Sequence, residues 1–127
     1  MPLVRIDLPQ GKSAEYRRAA ADVVYTAMTT VLSVPADDRF MVITEHDPDN
    51  LVIDPGYLGI SRSLDALLIQ VTLNEGRAVA LKKDFYRAVA GDLRDRVGLR
   101  PEDVTINLVE VPKENWSFGN GEAQYAS

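Results

Sequence analysis

The chain repeats itself, and the repeat constrains its fold more than any other feature. At an offset of 65 residues the two halves align without a gap. Leu8-Pro9-Gln10-Gly11-Lys12 lies over Leu73-Asn74-Glu75-Gly76-Arg77, Arg17-Arg18 over Lys82-Lys83, and Asp37-Asp38 over Glu102-Asp103. Val24 falls on Val89 and Met28 on Leu93. The copies run from about 2 to 45 and from about 66 to 110, and each reads as strand, helix, strand. A strand–helix–strand with a helix this long makes a right-handed parallel crossover. Two such units predict an α+β fold: duplicated β-α-β units forming one four-stranded mixed sheet with two helices on one face. With 127 residues, the whole chain, 1–127, is expected to be a single domain.

The elements follow from period and punctuation. Val4, Ile6 and Leu8 alternate with Arg5 and Asp7, a half-buried strand. Pro9-Gln10-Gly11-Lys12 breaks it, and Ser13 is placed to cap a helix. Tyr16, Ala20, Val23, Ala27 and Val31 form that helix's apolar stripe, widened by Val24, Met28 and Leu32, and Pro35 requires an end before it. Residues 40–45 read as a second strand, followed by loop chemistry over 46–50. Residues 51–63, with Pro55, Gly56 and Gly59, read as a long excursion that includes a small hairpin. Residues 66–73 are apolar at most positions and so read as a central strand with both faces buried. Leu81, Phe85, Val89, Leu93 and Val97 make the second helical stripe, closed by Gly98 at the C′ position. Residues 104–109 are the fourth strand. Both helices on one face leave the other face open, with Val4, Leu68 and Val71 expected to need cover there. Self-association is the simplest cover.

Composition excludes several function classes. The chain has no cysteine, which removes disulfides and thiol nucleophiles. Its net charge is −5 with both signs interspersed and no basic stripe, so nucleic acid is not an expected partner. The start, Met1-Pro2-Leu3-Val4-Arg5, lacks a basic segment followed by an apolar run, and no stretch approaches spanning length. The expectation is a cytoplasmic protein that does not engage membranes. The lone His46 has no metal-ligand partners in sequence and reads as structural, so no metal site is expected.

A Met-Pro start on duplicated βαβ units resembles the tautomerase superfamily. Val34-Pro35-Ala36-Asp37-Asp38-Arg39-Phe40, Gly76-Arg77 and Asn115-Trp116-Ser117-Phe118-Gly119-Asn120-Gly121 are similar to the malonate semialdehyde decarboxylase branch. The resemblance spans nearly the whole chain. It implies a homotrimer whose sheets pack around a central axis, no cofactor, and a site around Pro2. Better-known decarboxylases of the branch carry two closely spaced arginines before the second helix. Here that segment holds only Arg77, as in a related subgroup with a single Gly-Arg pair.

The implied catalytic residues are Pro2, Asp38 and Arg77, and the implied substrate-binding residues are Arg77, Trp116 and Phe118. Loss of Met1 would give Pro2 a secondary amine. An α-amino group titrates near about 7.7–8.0, close enough to working pH for its surroundings to set its role. Neutral, it is a base or an iminium former; protonated, it donates to a carbonyl oxygen. Against this, proline is common at second positions. Arg77 opposes the dipole of the helix it precedes, a local misfit that suits anion binding, although a solvated surface Arg is the plainer reading. Asp38 would tune Pro2 or a water, yet Asp103 occupies the matching place in the other half, which argues for a turn residue. Asp37 and Arg62 are weaker candidates. Trp116 and Phe118 would exclude water, or simply dock the tail.

Together these imply decarboxylation of a small 3-oxo acid such as malonate semialdehyde. The alternatives are keto–enol tautomerisation of a 2-oxo acid of the phenylpyruvate type, hydration of an unsaturated short acid, or a trimeric binding protein without turnover. The expected partners are a small carboxylate substrate and further copies of the chain.

Overall fold

The computed structural model describes residues 2–126. Its main elements are β1 (Leu3–Pro9), α1 (Ala14–Thr30), β2 (Phe40–His46), β3 (Leu67–Asn74), α2 (Val79–Val97) and β4 (Val104–Val111). β1 runs parallel to β2, β3 parallel to β4, and the central β1–β3 pair is antiparallel, giving the order β2-β1-β3-β4. The 65-residue offset carries the start of α1, Ala14, onto the start of α2, Val79.

Alternation decides which face each strand residue meets. Val4, Ile6 and Leu8 of β1 and Leu67, Ile69, Val71 and Leu73 of β3 are buried under the helices. Val4 pairs with Val71 and Ile6 with Ile69, so these side chains share one face. From α1, Ala20, Val23, Val24, Ala27 and Met28 close over them; from α2, Phe85, Val89 and Leu93 do so. Each large side chain fully buried this way contributes roughly 1.5–3 kcal/mol before entropy is counted. Ser13 caps α1, its Oγ accepting from Tyr16 N–H at 3.0 Å. α1 ends at Thr30, ahead of Pro35 as expected, and Ser33 beyond it takes the left-handed region at φ 58°. Gly98, at φ 71°, ends α2 in the conformation a C′ glycine adopts readily.

Four expectations need correction. Val4 and Val71 lie under the helices, not on the open face; of the three residues named, only Leu68 points there, beside Leu3, Phe40, Val42 and Val109. β3 is central, but its burial alternates and Gln70 is exposed, so its two faces are not equally covered. Residues 51–63 contain no strand. They form an irregular loop with a single helical turn at Tyr57–Gly59. Arg62 braces that loop, its Nη1 donating to the carbonyls of Asp54, Tyr57 and Ile60. Leu81 also departs from its stripe: it is 40% exposed.

The antiparallel centre has a functional consequence. It sets the N-terminal ends of β1 and β2 beside the C-terminal ends of β3 and β4. Segments widely separated in sequence (Pro2, 35–40, 74–77 and 112–126) therefore meet at one end of the sheet.

Candidate active site

Pro2 is buried at the head of β1. Its neighbour Leu3 pairs with Phe40 on one side and Thr72 on the other. Carried one residue further, that register sets Pro2 level with Arg39 and Leu73. Asp38 is held in a turn, its N–H donating to Pro35 O at 3.1 Å. The residue is only 5% exposed. Burial raises its pKa above the ordinary carboxylate value.

Arg77 reaches the same end from the opposite half of the chain. Gly76 turns the chain out of β3 at φ 114°, a conformation that favours glycine. The Arg77 guanidinium then donates from Nε and Nη2 to Leu32 O, at 3.4 and 3.2 Å, and from Nη1 to Asn74 O at 3.2 Å. Leu32 lies just beyond α1, where carbonyls lack helical partners. A guanidinium has five N–H donors. Among the described residues these three contacts leave one donor on each terminal nitrogen, the number a carboxylate takes bidentately.

An aromatic wall completes the end. Trp116 stacks on Phe118 with centroids 5.3 Å apart and planes at 15°. Phe118 also meets Phe40 at 6.0 Å and the edge of Tyr125 at 5.1 Å. The Tyr125 phenol is raised in pKa by burial and then by the charge of Asp38, which ties this wall to the carboxyl. The Gln124 amide clasps the tail, accepting from Phe118 N–H and donating to Gly119 O, both at 2.9 Å.

Pro2, Asp38, Arg77, Trp116 and Phe118 thus stand at one end of the sheet. Asp37 is exposed. His46 lies at the other end, 2.6 Å from Asp7 Oδ1. It lines a cavity of about 190 Å³ with Pro9, Leu51, Ile53 and Leu64, remote from the other candidates. Arg62 is also remote, occupied in its loop. Among the described residues no group of three or more His, Asp or Glu is placed to hold a metal ion. No described helix is long and apolar enough to cross a membrane. Sequence reasoning missed Asn74, Phe40 and Tyr125. Asn74 was visible as the residue before Glu75-Gly76-Arg77, but nothing in sequence paired it with Trp116.

Comparison with known proteins identifies the family and agrees with the fold. Two family models, each described as "Tautomerase enzyme", match residues 38–119 and 2–60. The chain is 36% identical over 98% of its length to "Probable tautomerase YusQ" of Bacillus subtilis (strain 168), covering 98% of that protein. A malonate semialdehyde decarboxylase structure inhibited by 3-bromopropiolate superposes with a TM-score of 0.90 at 40% identity, over 97% of this chain and 93% of that one. A second malonate semialdehyde decarboxylase, described with decarboxylase and hydratase activities, gives 0.90 at 32% identity, over 97% and 95%. A fused 4-OT symmetric trimer shares the fold at a TM-score of 0.77 and 22% identity, over 94% of each chain. The chain belongs to the tautomerase superfamily, in its malonate semialdehyde decarboxylase-like branch.

Proposed function

We propose that the chain is an enzyme that decarboxylates a small 3-oxo acid, with malonate semialdehyde as the model substrate. The observation that carries this reading is the meeting of buried Pro2, the buried Asp38 carboxyl and a guanidinium with two remaining donors beside an aromatic wall. The decarboxylases at 40% and 32% identity support it.

Met1 lies outside the described residues; the reading takes Pro2 as the terminal amine after its removal. Arg77 binds the substrate carboxylate and turns the bond to it out of the carbonyl plane. That bond breaks and carbon dioxide leaves. The electron pair passes to the carbonyl as an enolate, which protonated Pro2 stabilises by donating to its oxygen. A proton taken up at the carbon then gives acetaldehyde. Asp38 favours the protonated amine by its charge. Trp116 and Phe118 exclude water, which strengthens each of these charge interactions. In its neutral form Pro2 would reach the same electron sink through an iminium ion.

The assembly belongs to the same proposal. Leu3, Phe40, Val42 and Val109 are exposed on the open sheet face, and a homotrimer would cover them. The 4-OT relative is described as a trimer.

The test is incubation of wild type and Pro2→Ala with malonate semialdehyde. Release of carbon dioxide and acetaldehyde by wild type, lost in the variant, is expected; no release above background refutes the reading. The curated relative's tautomerase name favours one second reading, proton transfer on a 2-oxo acid such as phenylpyruvate with neutral Pro2 as base. Nitrogen NMR titration of Pro2 separates the two: a low pKa fits the base, a high one the acid.

A further inference from the structure

We propose that Asn74 is a positioning residue that couples the Arg77 guanidinium to the aromatic wall. The inference deepens the decarboxylase reading above and rests on it for its kinetic consequence. Two atoms of one residue carry it. The Asn74 carbonyl accepts from Arg77 Nη1 at 3.2 Å, and its side-chain Oδ1 accepts from the Trp116 indole Nε1–H at 2.8 Å. An indole has a single N–H and accepts nothing, so Asn74 sets the direction in which the half-buried ring lies. That direction is the one in which Trp116 stacks on Phe118.

Asn74 is well placed for this task. It is the last residue of β3 and pairs with Val111 at the end of β4. The next residue keeps the strand ends together, Glu75 N–H donating to Val111 O at 3.0 Å. After Val111 the chain turns through Pro112–Asn115, with Asn115 N–H on Pro112 O at 3.0 Å, and delivers Trp116. Anchor and anchored ring thus hang from neighbouring strand ends. A side chain at position 74 without an acceptor would leave the indole N–H unpaired in a half-buried place. The ring would turn, and the wall would no longer shield the guanidinium.

The experiment uses purified full-length protein and the fluorescence of Trp116, the only tryptophan. Asn74→Ala should make Trp116 more accessible to acrylamide, and Asn74→Asp, which keeps an acceptor oxygen, should restore wild-type protection. Arg77→Met should also shift Trp116 emission, because it removes the other bond to Asn74. For malonate semialdehyde, Asn74→Ala should raise KM about tenfold, as expected for loss of one such hydrogen bond, with a smaller change in kcat. In a Trp116→Phe background the same substitution should add nothing. Unchanged quenching in Asn74→Ala would overturn the proposal, as would full additivity with Trp116→Phe. Should wild type not turn over malonate semialdehyde, the decarboxylase reading fails alone, and the fluorescence comparison still decides the role of Asn74. If Asn74→Ala does not fold, Asn74→Leu, which also lacks an acceptor, supplies the same comparison, and unchanged quenching in it would equally overturn the proposal.

Discussion

Replacing Arg77 by methionine tests two roles of one side chain, the strut that its carbonyl contacts form and the substrate binding proposed for it. Its guanidinium makes three contacts to backbone carbonyls, two on Leu32 and one on Asn74. A hydrogen bond to a charged group contributes roughly 1.5–3 kcal/mol. These contacts are 3.2, 3.2 and 3.4 Å long and only partly buried, at the outer edge of good geometry. Together they are therefore worth about as much as one good charged bond, roughly 2 kcal/mol. For a domain of this size that lowers Tm by about 8 °C, taking about 4 °C per kcal/mol. The proposed substrate role is independent of the strut role. Loss of a bidentate carboxylate contact of about 3 kcal/mol cuts kcat/KM by roughly a hundredfold. Arg77→Lys keeps the charge but not the fork, so it should lose about half of each effect on a free-energy scale. Thermal melts at one fixed protein concentration and carbon dioxide release are the assays; the concentration is fixed because self-association adds to apparent stability. A melt for Arg77→Met within about 2 °C of wild type would refute the strut arithmetic. An unchanged kcat/KM would refute the placing of the carboxylate.

Three further outcomes are expected. Burial raises the Asp38 carboxyl's pKa, so the fold favours its protonated form. Its contribution to stability is fully present below the unfolded value of about 3.9 and is lost as pH rises through the raised folded value. Melts of wild type against Asp38→Asn between pH 3 and pH 7 (an ordinary carboxylate window) should therefore favour wild type progressively on acidification; the reverse trend would contradict the burial argument. Phe85→Ala should cost about 3–5 kcal/mol in denaturant unfolding, because the ring is fully buried, whereas Leu81→Ala should cost under about 1 kcal/mol. Asp103→Ala should lower stability by about 2–3 kcal/mol by stranding the Ser63 N–H and hydroxyl, which it binds at 2.7 and 2.6 Å. It should leave kcat unchanged, since it lies at the other end of the sheet.

The fold was legible where side-chain period carries the information. β1 and α1 could be read from alternation, a serine cap and a proline stop, because each of these acts through neighbours in sequence. The second helical stripe was read too simply. Leu81, Phe85, Val89, Leu93 and Val97 step by four, and each step overshoots a full turn by about 40°. The ends of such a row cannot both face the core: Phe85, Val89 and Leu93 are buried, while Leu81 rotates out and Val97 is only half-buried. The excursion failed for a different reason. Residues 51–63 are held by Arg62 and by the Asp54 carboxylate on Gly56 N–H, bonds whose carbonyl and amide partners leave no periodic trace. The Leu32 and Asn74 carbonyls that hold Arg77 were invisible for the same cause.

The repeat that revealed the fold also explains where the two halves part. Asp38 and Asp103 occupy the same backbone turn: each donates its N–H to the carbonyl three residues back, Pro35 at 3.1 Å and Arg100 at 2.9 Å. Gly11 and Gly76 likewise share a positive φ, 103° and 114°. A turn residue is therefore a correct account of both aspartates at the level of the main chain, and it says nothing about their carboxyls. Both oxygens of Asp103 are taken by Ser63, which ties the irregular loop to the sheet. Lys12, the counterpart of Arg77, is drawn to Asp65 at 2.9 Å. At the other end the charge of the matching carboxyl acts on the Tyr125 phenol, and the matching cation is held by carbonyls that do not neutralise it. Trp116 and Phe118 come from residues beyond the repeat and have no counterparts in the first half. The duplicated backbone thus supplies two similar sheet ends. The Lys12–Asp65 ion pair and the bonds from Ser63 to Asp103 make one of them structural, and the end whose arginine is in no ion pair among the described residues is the one proposed to take an anion.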